Sequence, residues 1–351
     1  MRSKVHYTAA LAFGLACLSG CASSTQHTDT KAGQAATTAA IPEAFARGPV
    51  PGLVVAGASD AIEFYKTAFG AEEVERFVGE DGRIMHAMMR VGDSFFTLSD
   101  EFPEWHAMGP KSLGGTPAAL FLYVKDADKT FAKAVEAGAI PKEEVKYMFW
   151  GDRYGNVVDP FGHQWGIATR VVDVPQEKLP ELAKQAMSGN PPQQPADAKP
   201  MAKREGWNTL SVYLMVDNVD ETVDYYTKAF GAQVITKIPG EHGTMHAELR
   251  IRDQLMMVGQ AMAEHGAKSA KALGGTPLTM SYYVKDVDNT FEQAIGFGAE
   301  QRKQPENMFW GDRWGELVDP SGHVWGVATH VEDVAHEEMQ RRAAEMSKSD
   351  G

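Results

Sequence analysis

Residues 149–170 read FWGDRYGNVVDPFGHQWGIATR, and residues 309–330 read FWGDRWGELVDPSGHVWGVATH. The match extends without a gap over residues 111–174 and 271–334, where 35 of 64 positions are identical. A repeat this close indicates a duplicated domain. A site that one copy builds can therefore be built by the other.

Each copy divides into two smaller units, and each unit reads as a strand, a helix and three more strands. In the first unit a strand near residues 52–56 precedes a helix that ends at Gly70, and three strands follow by residue 99. A glycine after the last apolar residue is typical of a helix C-terminus. The second unit starts near residue 119, with Asp126 or Asp128 as the helix cap. The sequence predicts an α+β fold of four βαβββ units.

Polar and apolar side chains alternate in residues 85–91 (MHAMMRV) and 245–251 (MHAELRI). Successive side chains of a strand point to opposite faces, and the apolar face is expected under the helices. His86 and His246 then point away from the helices, toward a cleft or water. An imidazole in a cleft can act as a general base or hold a ligand oxygen, which makes both residues catalytic candidates. A hydrogen-bonded strand histidine without a catalytic role is the alternative.

The first 21 residues have the pattern of an export signal. Arg2 and Lys4 precede a short apolar stretch at residues 9–18. The sequence LSGC at residues 18–21 resembles the lipobox of bacterial lipoproteins, in which the chain is cut before the cysteine and the cysteine carries lipids. This resemblance implies lipidation of Cys21 and a position on the periplasmic face of a Gram-negative outer membrane. An ordinary secretion signal cut near Ala22 is the alternative.

Composition divides the rest of the chain. It predicts a flexible tether (22–47), copy one (48–185), a Pro-rich linker (186–206), copy two (207–342) and a charged tail (343–351). The net charge of −13 argues against nucleic acid as a partner, because binding phosphates needs a basic surface. Of the two cysteines only Cys21 remains after the signal is removed, so we expect no disulfide and no cysteine metal site.

The four units and the FWGDRYG…DPFGH string resemble the vicinal oxygen chelate superfamily, which includes glyoxalase I, fosfomycin- and bleomycin-resistance proteins and extradiol dioxygenases. FYKTAFGA at residues 64–71 and the His-Ala pair at 86–87 resemble its PhnB-like branch. The resemblance implies two tandem domains, each with two βαβββ units that form curved mixed sheets around a cleft, with helices outside. It also implies that the fused copies pair within one chain, so that the protein can be a monomer.

In metal-dependent members of that superfamily, His or Glu stands near the start of the first strand of each unit and at the end of the last. Here those positions hold Ala119, Thr279, Gly166 and Gly326. Divalent ions need stronger ligands than these residues offer. We therefore expect no metal ligands and no cofactor, and a divalent ion is the alternative that the superfamily implies.

The two FWGDR segments are candidate ligand-binding loops. Two rings beside an arginine can form a stacking wall with a charged clamp for a carboxylate or phosphate. The alternative is that the aspartate and arginine pair with each other or brace the hairpin. The candidates are Phe149, Trp150, Asp152 and Arg153 in copy one, and Phe309, Trp310, Asp312 and Arg313 in copy two.

His163 and His323 follow Asp-Pro-x-Gly sequences and are also candidate ligand-binding residues. Aspartate, proline and glycine in this order fit a type I turn, so a structural role is the alternative.

Together these features predict a protein that acts on or binds a small oxygen-rich molecule without the usual metal site. One hypothesis is a glyoxalase-like lyase, isomerase or dioxygenase that uses His86 or His246. A second is a binding protein that works by cleft shape, stacking and charge. A third is an envelope lipoprotein that binds a protein partner. Fold resemblance alone does not choose among them.

Overall fold

The computed structural model describes residues 40–349 apart from Ala202, His242 and residues 263–265. The predicted export signal, the lipidation at Cys21 and the tether up to residue 39 lie outside the described residues. Among the helices that the structure describes, none is both long enough and apolar enough to cross a membrane.

The predicted α+β fold of four βαβββ units is confirmed. Copy one begins with α1 (Glu43–Ala46) and continues with unit one: β1 (Val50–Val55), α2 (Ala58–Phe69), β2 (Glu72–Val78), β3 (Ile84–Val91) and β4 (Ser94–Asp100). Unit two follows α3 (Pro110–Leu113) and comprises β5 (Ala118–Tyr123), α4 (Ala127–Glu136), β6 (Ile140–Tyr147), β7 (Asp152–Val158) and β8 (Gln164–Arg170). The helix α5 (Leu179–Met187) leads into the linker.

Copy two repeats this order. Unit three comprises β9 (Leu210–Val216), α6 (Val219–Phe230), β10 (Gln233–Gly240), β11 (Gly243–Ile251) and β12 (Gln254–Gln260). Unit four follows α7 (Ala270–Leu273) and comprises β13 (Leu278–Tyr283), α8 (Val287–Gly296), β14 (Glu300–Asn307), β15 (Asp312–Val318) and β16 (Val324–His330). The last helix is α9 (His336–Ser349).

The sheets join units from different copies. The first sheet has the order β14-β15-β16-β13-β1-β4-β3-β2, and the second has the order β10-β11-β12-β9-β5-β8-β7-β6. Unit one therefore shares a sheet with unit four, and unit two shares one with unit three. At the two antiparallel junctions Gly52 lies opposite Thr279, and Tyr213 lies opposite Ala119. Backbone hydrogen bonds at these junctions thus pair the two copies within one chain.

Each sheet has a helix face, which carries the helices, and a cleft face on its other side. On β3, Ala87 and Met89 of the helix face are fully buried in the main core, while His86 lies on the cleft face. The alternation predicted from residues 85–91 and 245–251 is confirmed from Ala87 and Ala247 onward. It is wrong for Met85, which packs against Val54 and Phe102 outside the main core, because the strand pairing shifts register at this end of β3. The main core includes side chains of both sheets and of α2, α4, α6 and α8, so the four helices bind the two sheets together.

A buried aspartate in each copy links the two sheets through this core. The carboxyl group of Asp159 accepts hydrogen bonds from Tyr65 Oη (2.8 Å) and Trp165 Nε1 (2.9 Å), and from two backbone N–H groups of its own turn. Asp319 receives the same set from Tyr226, Trp325 and its turn. Four donors satisfy a carboxylate that would otherwise be costly to bury. The tyrosine of the FYKTAFGA segment therefore has a structural role.

Candidate functional site

His86 lies beside a small polar cavity on the cleft face of the first sheet. The cavity has a volume of about 20 Å³, and hydroxyl groups of β4 and β13 line it together with His86. The hydroxyl of Thr279 is buried there without a hydrogen-bond partner. The carboxylate of Glu75 lies 3.6 Å from Nε2 of His86. The residues that set the polarity of this cavity are Gly52, His86, Thr97, Ser99, Thr279 and Ser281.

A short cap covers the cleft face next to this cavity. Phe45 of α1 is buried with Val50 and Met88, and its ring stacks on that of Tyr283 with 4.3 Å between centroids. Met88 and Tyr283 each lie two residues along the strand from a cavity-lining residue, His86 or Ser281. The cavity in this closed form has room for about one water molecule. We call α1 with Phe45 the cap, and any larger ligand requires the cap to move.

In the second sheet a tyrosine lies against the equivalent histidine. Nδ1 of His246 lies 3.1 Å from Oη of Tyr213, and the two rings meet edge to face. Tyr213 is the equivalent of Gly52 in the first sheet. Tyr213 lies opposite Ala119, and Gly52 lies opposite Thr279, which is the equivalent of Ala119. Burial, and then the positive charge of Arg204, lower the pKa of His246 to about 4. His246 is therefore neutral at physiological pH.

The linker crosses the cleft face of the second sheet. Arg204 forms a buried ion pair with Glu248 at 2.8 Å, and Trp207 packs against the rings of Phe121 and Tyr123. The N–H of Met201 donates a hydrogen bond of 2.7 Å to the carbonyl of Arg170 at the end of β8. The linker is therefore also joined to this strand through its backbone. The composition of the linker predicted a polar spacer, and the apolar and basic residues at its end explain why it binds to the sheet.

The positions where the resemblance implies metal ligands face the two clefts, and their residues do not fit a divalent ion. A Cβ atom added to Gly166 would lie 2.5 Å from the ring of Tyr154, and one added to Gly326 would lie 2.7 Å from the indole nitrogen of Trp314. A glutamate at either glycine would require these rings to move. Across the described residues, no group of three or more His, Cys, Asp or Glu side chains is placed to hold a metal ion.

In each FWGDR loop the aspartate and the arginine point in different directions. Asp152 is buried and accepts hydrogen bonds from Tyr123 Oη (2.8 Å) and Arg170 Nη1 (3.2 Å). Arg153 turns to the surface and forms a two-point ion pair with Asp128. The predicted alternative in which aspartate and arginine pair with each other is wrong, because neighbouring residues of a strand point to opposite faces. The other half of that alternative, in which these residues brace the hairpin, fits the contacts of Asp152 with Arg170 and of Arg153 with Asp128. A charged clamp by the arginine stays a prediction.

Copy two repeats this arrangement with one change. Asp312 accepts hydrogen bonds from Tyr283 and from Trp310 Nε1 (2.9 Å), and Arg313 pairs with Asp288. The ring of Trp310 meets that of Phe309 nearly at a right angle, as Trp150 meets Phe149 in copy one. The change is at the end of the last strand, where His330 stands in place of Arg170.

His163 and His323 lie at the junction of the sheets and are not among the residues that line the cavity. Nε2 of His163 is 2.9 Å from the carbonyl oxygen of Val54, and His323 makes the equivalent contact with Met215 at 3.2 Å. Burial lowers the pKa of both histidines. The Asp-Pro-x-Gly turns are confirmed by the hydrogen bond from the N–H of the glycine to the carbonyl of the aspartate, and they place each histidine at this contact.

Sequence reasoning missed several residues of the first cleft. Glu316 is a fully buried carboxylate on the cleft face of β15, with Arg302 at 3.4 Å. Phe45 was part of the predicted tether, and only its burial against Tyr283 shows that it belongs to the cap. Glu316 could have been noticed in the sequence as a polar residue within a strand of the repeat, because the equivalent residue of copy one, Asn156, is also polar. Phe45 gave no such signal, because the region before residue 48 is not part of the repeat.

Three comparisons with known proteins complete the description of the site. A family model described as Glyoxalase/Bleomycin resistance protein/Dioxygenase superfamily matches residues 49–167 and 209–327. An uncharacterized protein of Mycobacterium tuberculosis is 42% identical over 132 residues, which are 37% of this chain and 78% of that protein. Glyoxalase I from Zea mays superposes with a TM-score of 0.55 at 15% identity, covering 81% of this chain and 92% of the maize protein. At this identity the maize structure shows a shared fold alone.

Proposed function

Since the chain belongs to the glyoxalase/bleomycin resistance protein/dioxygenase superfamily, we propose that it binds a small oxygen-rich molecule in the first cleft, without a divalent ion. The observation that carries this proposal is the polar cavity beside His86, with the buried hydroxyl of Thr279 left without a partner. Buried polar groups are nearly always paired, so an unpaired hydroxyl in a cavity favours a ligand or water as its partner.

The residues of the cavity match oxygen atoms in both hydrogen-bonding roles. Hydroxyl groups of Thr97, Ser99, Thr279 and Ser281 can each donate and accept, and the imidazole of His86 can do both through its two nitrogens. Carbonyl, hydroxyl and carboxylate oxygens of a ligand would find partners there. The second cleft lacks these hydroxyl groups, because its equivalent positions hold Met257, Gly259, Ala119 and Phe121.

The pairing of His86 with Glu75 favours catalysis as the second candidate function. A carboxylate 3.6 Å from the imidazole can orient it as a general base. Turnover of a ligand bound in the first cleft, abolished by His86→Ala, would establish an enzyme. Binding that occurs without turnover in the parent chain and survives this substitution would establish a binding protein.

The test compares the two clefts in the chain with Cys21→Ser, which carries no lipid. Fosfomycin and catechol serve as oxygen-rich probes, and calorimetry measures their stoichiometry while mass spectrometry measures bound metal. We expect one probe molecule per chain, lost in Gly52→Tyr, which copies the second cleft. Tyr213→Phe is the matched control and should bind as the parent does. Two sites per chain, binding retained in Gly52→Tyr, or stoichiometric metal would contradict the proposal.

We also propose that the protein is anchored by lipid on Cys21 at the periplasmic face of the outer membrane. The motif at residues 18–21 supports this proposal. Metabolic labelling with radioactive palmitate in the native host should mark the parent chain and leave Cys21→Ser unlabelled. Equal labelling of both chains would contradict the assignment.

A further inference from the structure

The two copies place different cations against an equivalent buried carboxylate. In copy one Nη1 of Arg170 lies 3.2 Å from Oδ1 of Asp152, and in copy two Nδ1 of His330 lies 2.7 Å from Oδ1 of Asp312. A guanidinium stays charged at every pH that the fold survives, whereas an imidazole loses its charge near neutrality. The same contact is therefore permanent in one copy and titratable in the other.

In copy two this contact is connected to the cap of the first cleft. Oδ2 of Asp312 accepts the hydroxyl proton of Tyr283, whose ring stacks on Phe45. Oδ2 also accepts a hydrogen bond from Trp310, which fixes the loop before β15. A chain of direct contacts thus runs from His330 through Asp312 and Tyr283 to the cap.

The charged groups around His330 are mostly acidic. Nε2 of the imidazole lies 3.0 Å from Asp333, and the side chain is only 9% exposed. Arg342 of α9 is engaged with Glu332 and Glu338. The protonated imidazole is therefore the cation that balances Asp312. Burial alone would lower the pKa of His330, but hydrogen bonds and attraction to Asp312 and Asp333 outweigh it, so the pKa is raised above 6.5.

We propose that His330 is a protonation-dependent latch that holds the cap of the first cleft closed. This inference rests on the binding function proposed for that cleft and adds its regulation. The stabilising contact is complete below pH 6.5 and is lost as the pH rises through the raised pKa of His330. Above that range Asp312 is a buried carboxylate without its cation, and the contacts of Tyr283 and Phe45 loosen. In copy one Arg170 keeps the equivalent loop closed throughout.

Hydrogen exchange of the full-length chain tests the latch without any ligand. The amides of Met308, Gly311, Val331 and Glu332 donate the backbone hydrogen bonds of the latched loop, and those of Phe45 and Gly48 report on the cap. After correction for intrinsic rates, we expect their protection to fall several-fold between pH 6 and pH 8.5, because the ion pair between His330 and Asp312 is lost over this range. The equivalent amides of residues 148–152 and 171–172 are the internal control and should keep their protection.

Exchanging the two cations gives matched variants. His330→Arg should make the protection of the loop and the cap independent of pH, and Arg170→His should give the loop at residues 148–152 the dependence that it lacked. Protection in the parent that is unchanged with pH, or the same dependence in His330→Arg, overturns the proposal. A response of the loop without a response of Phe45 and Gly48 also overturns it. No probe molecule is needed, so this outcome is distinct from success or failure of the binding experiment.

Discussion

The two clefts have a histidine at the same position of equivalent strands and differ in what surrounds it. In the first cleft Gly52 leaves space, and four hydroxyl groups line it. In the second, Tyr213 stands at the position of Gly52 and contacts the histidine, while Arg204 of the linker and the adjoining Trp207 cover the face. The histidine was retained while its neighbours changed, so the neighbours decide whether a cleft can hold a ligand. The duplication supplied two sites, and the side chains around them point to one.

The largest effect is expected where the two halves do not differ. Asp159→Ala and Asp319→Ala each leave a tyrosine hydroxyl, an indole N–H and two backbone N–H groups unpaired in the core. Each should lower the free energy of unfolding by about 4 kcal/mol, because several buried donors lose their acceptor. Chemical denaturation followed by circular dichroism measures this loss, with exposed Asp197→Ala as the control. Unequal losses would show that the shared network supports one half more than the other.

The next effect is the dependence of folding stability on pH that His246 causes. His246 has a folded pKa of about 4, below its unfolded value near 6.5, because it is buried and close to Arg204. Between these values the folded protein binds fewer protons than the unfolded chain, so stability falls as the pH is lowered, by roughly 3 kcal/mol in total. Denaturation midpoints from pH 7 to pH 4 should fall less steeply in His246→Gln than in the parent chain. An equal slope in both proteins would place His246 in contact with solvent.

A smaller effect tests the linker over the second cleft. Arg204→Ala leaves Glu248 buried without its cation and should cost about 2 kcal/mol of unfolding free energy. Adding Glu248→Met, which introduces the residue found at the equivalent Met88, should recover most of that loss. Thermal unfolding of the two variants measures the recovery. If Arg204→Ala alone has no effect, the linker does not hold the cleft closed.

The smallest effect concerns the arginines of the FWGDR loops. Arg153→Ala and Arg313→Ala remove partly exposed ion pairs with Asp128 and Asp288 and should each change stability by less than about 1 kcal/mol. Binding of the probes in the first cleft should be unchanged. A large loss of binding in Arg313→Ala would support the predicted role of this arginine as a charged clamp.

The fold was predictable because its signals are local and occur twice. Alternation in residues 85–91 placed His86 on the correct face, and glycines such as Gly70 marked the end of a helix, where its φ of 66° is observed. The crossing of units between copies was not predictable, because both copies have nearly the same strands and local pattern does not say which one pairs with which. The crossing depends on which of the strands β1, β5, β9 and β13 pair at their edges, and the alternation of polar and apolar residues does not distinguish these edges.

The candidate site was predictable only in part. His86 was found from the sequence, but the cavity beside it depends on Gly52, which reads as an ordinary strand glycine. The pairing of Asp152 with Arg170 and of Asp312 with His330 joins residues 18 positions apart across a hairpin. Sequence reasoning made these aspartates candidates for ligand binding, with pairing to the adjacent arginine or bracing of the hairpin as the alternative, because it lacked that register. Long-range contacts, rather than residue types, account for the difference.

The crossing of the units also sets an order of events during translation. β1 is made early, but its antiparallel partner β13 begins only at Leu278 and leaves the ribosome near the end of synthesis. Until then the first copy exposes unpaired edges at β1 and β5, and exposed strand edges are prone to pairing with other chains. A ribosome stalled after the first copy would release a polypeptide that can complete its sheets only by pairing with another such fragment. In the complete chain, β13 and β9 of the second half cover these two edges of the first.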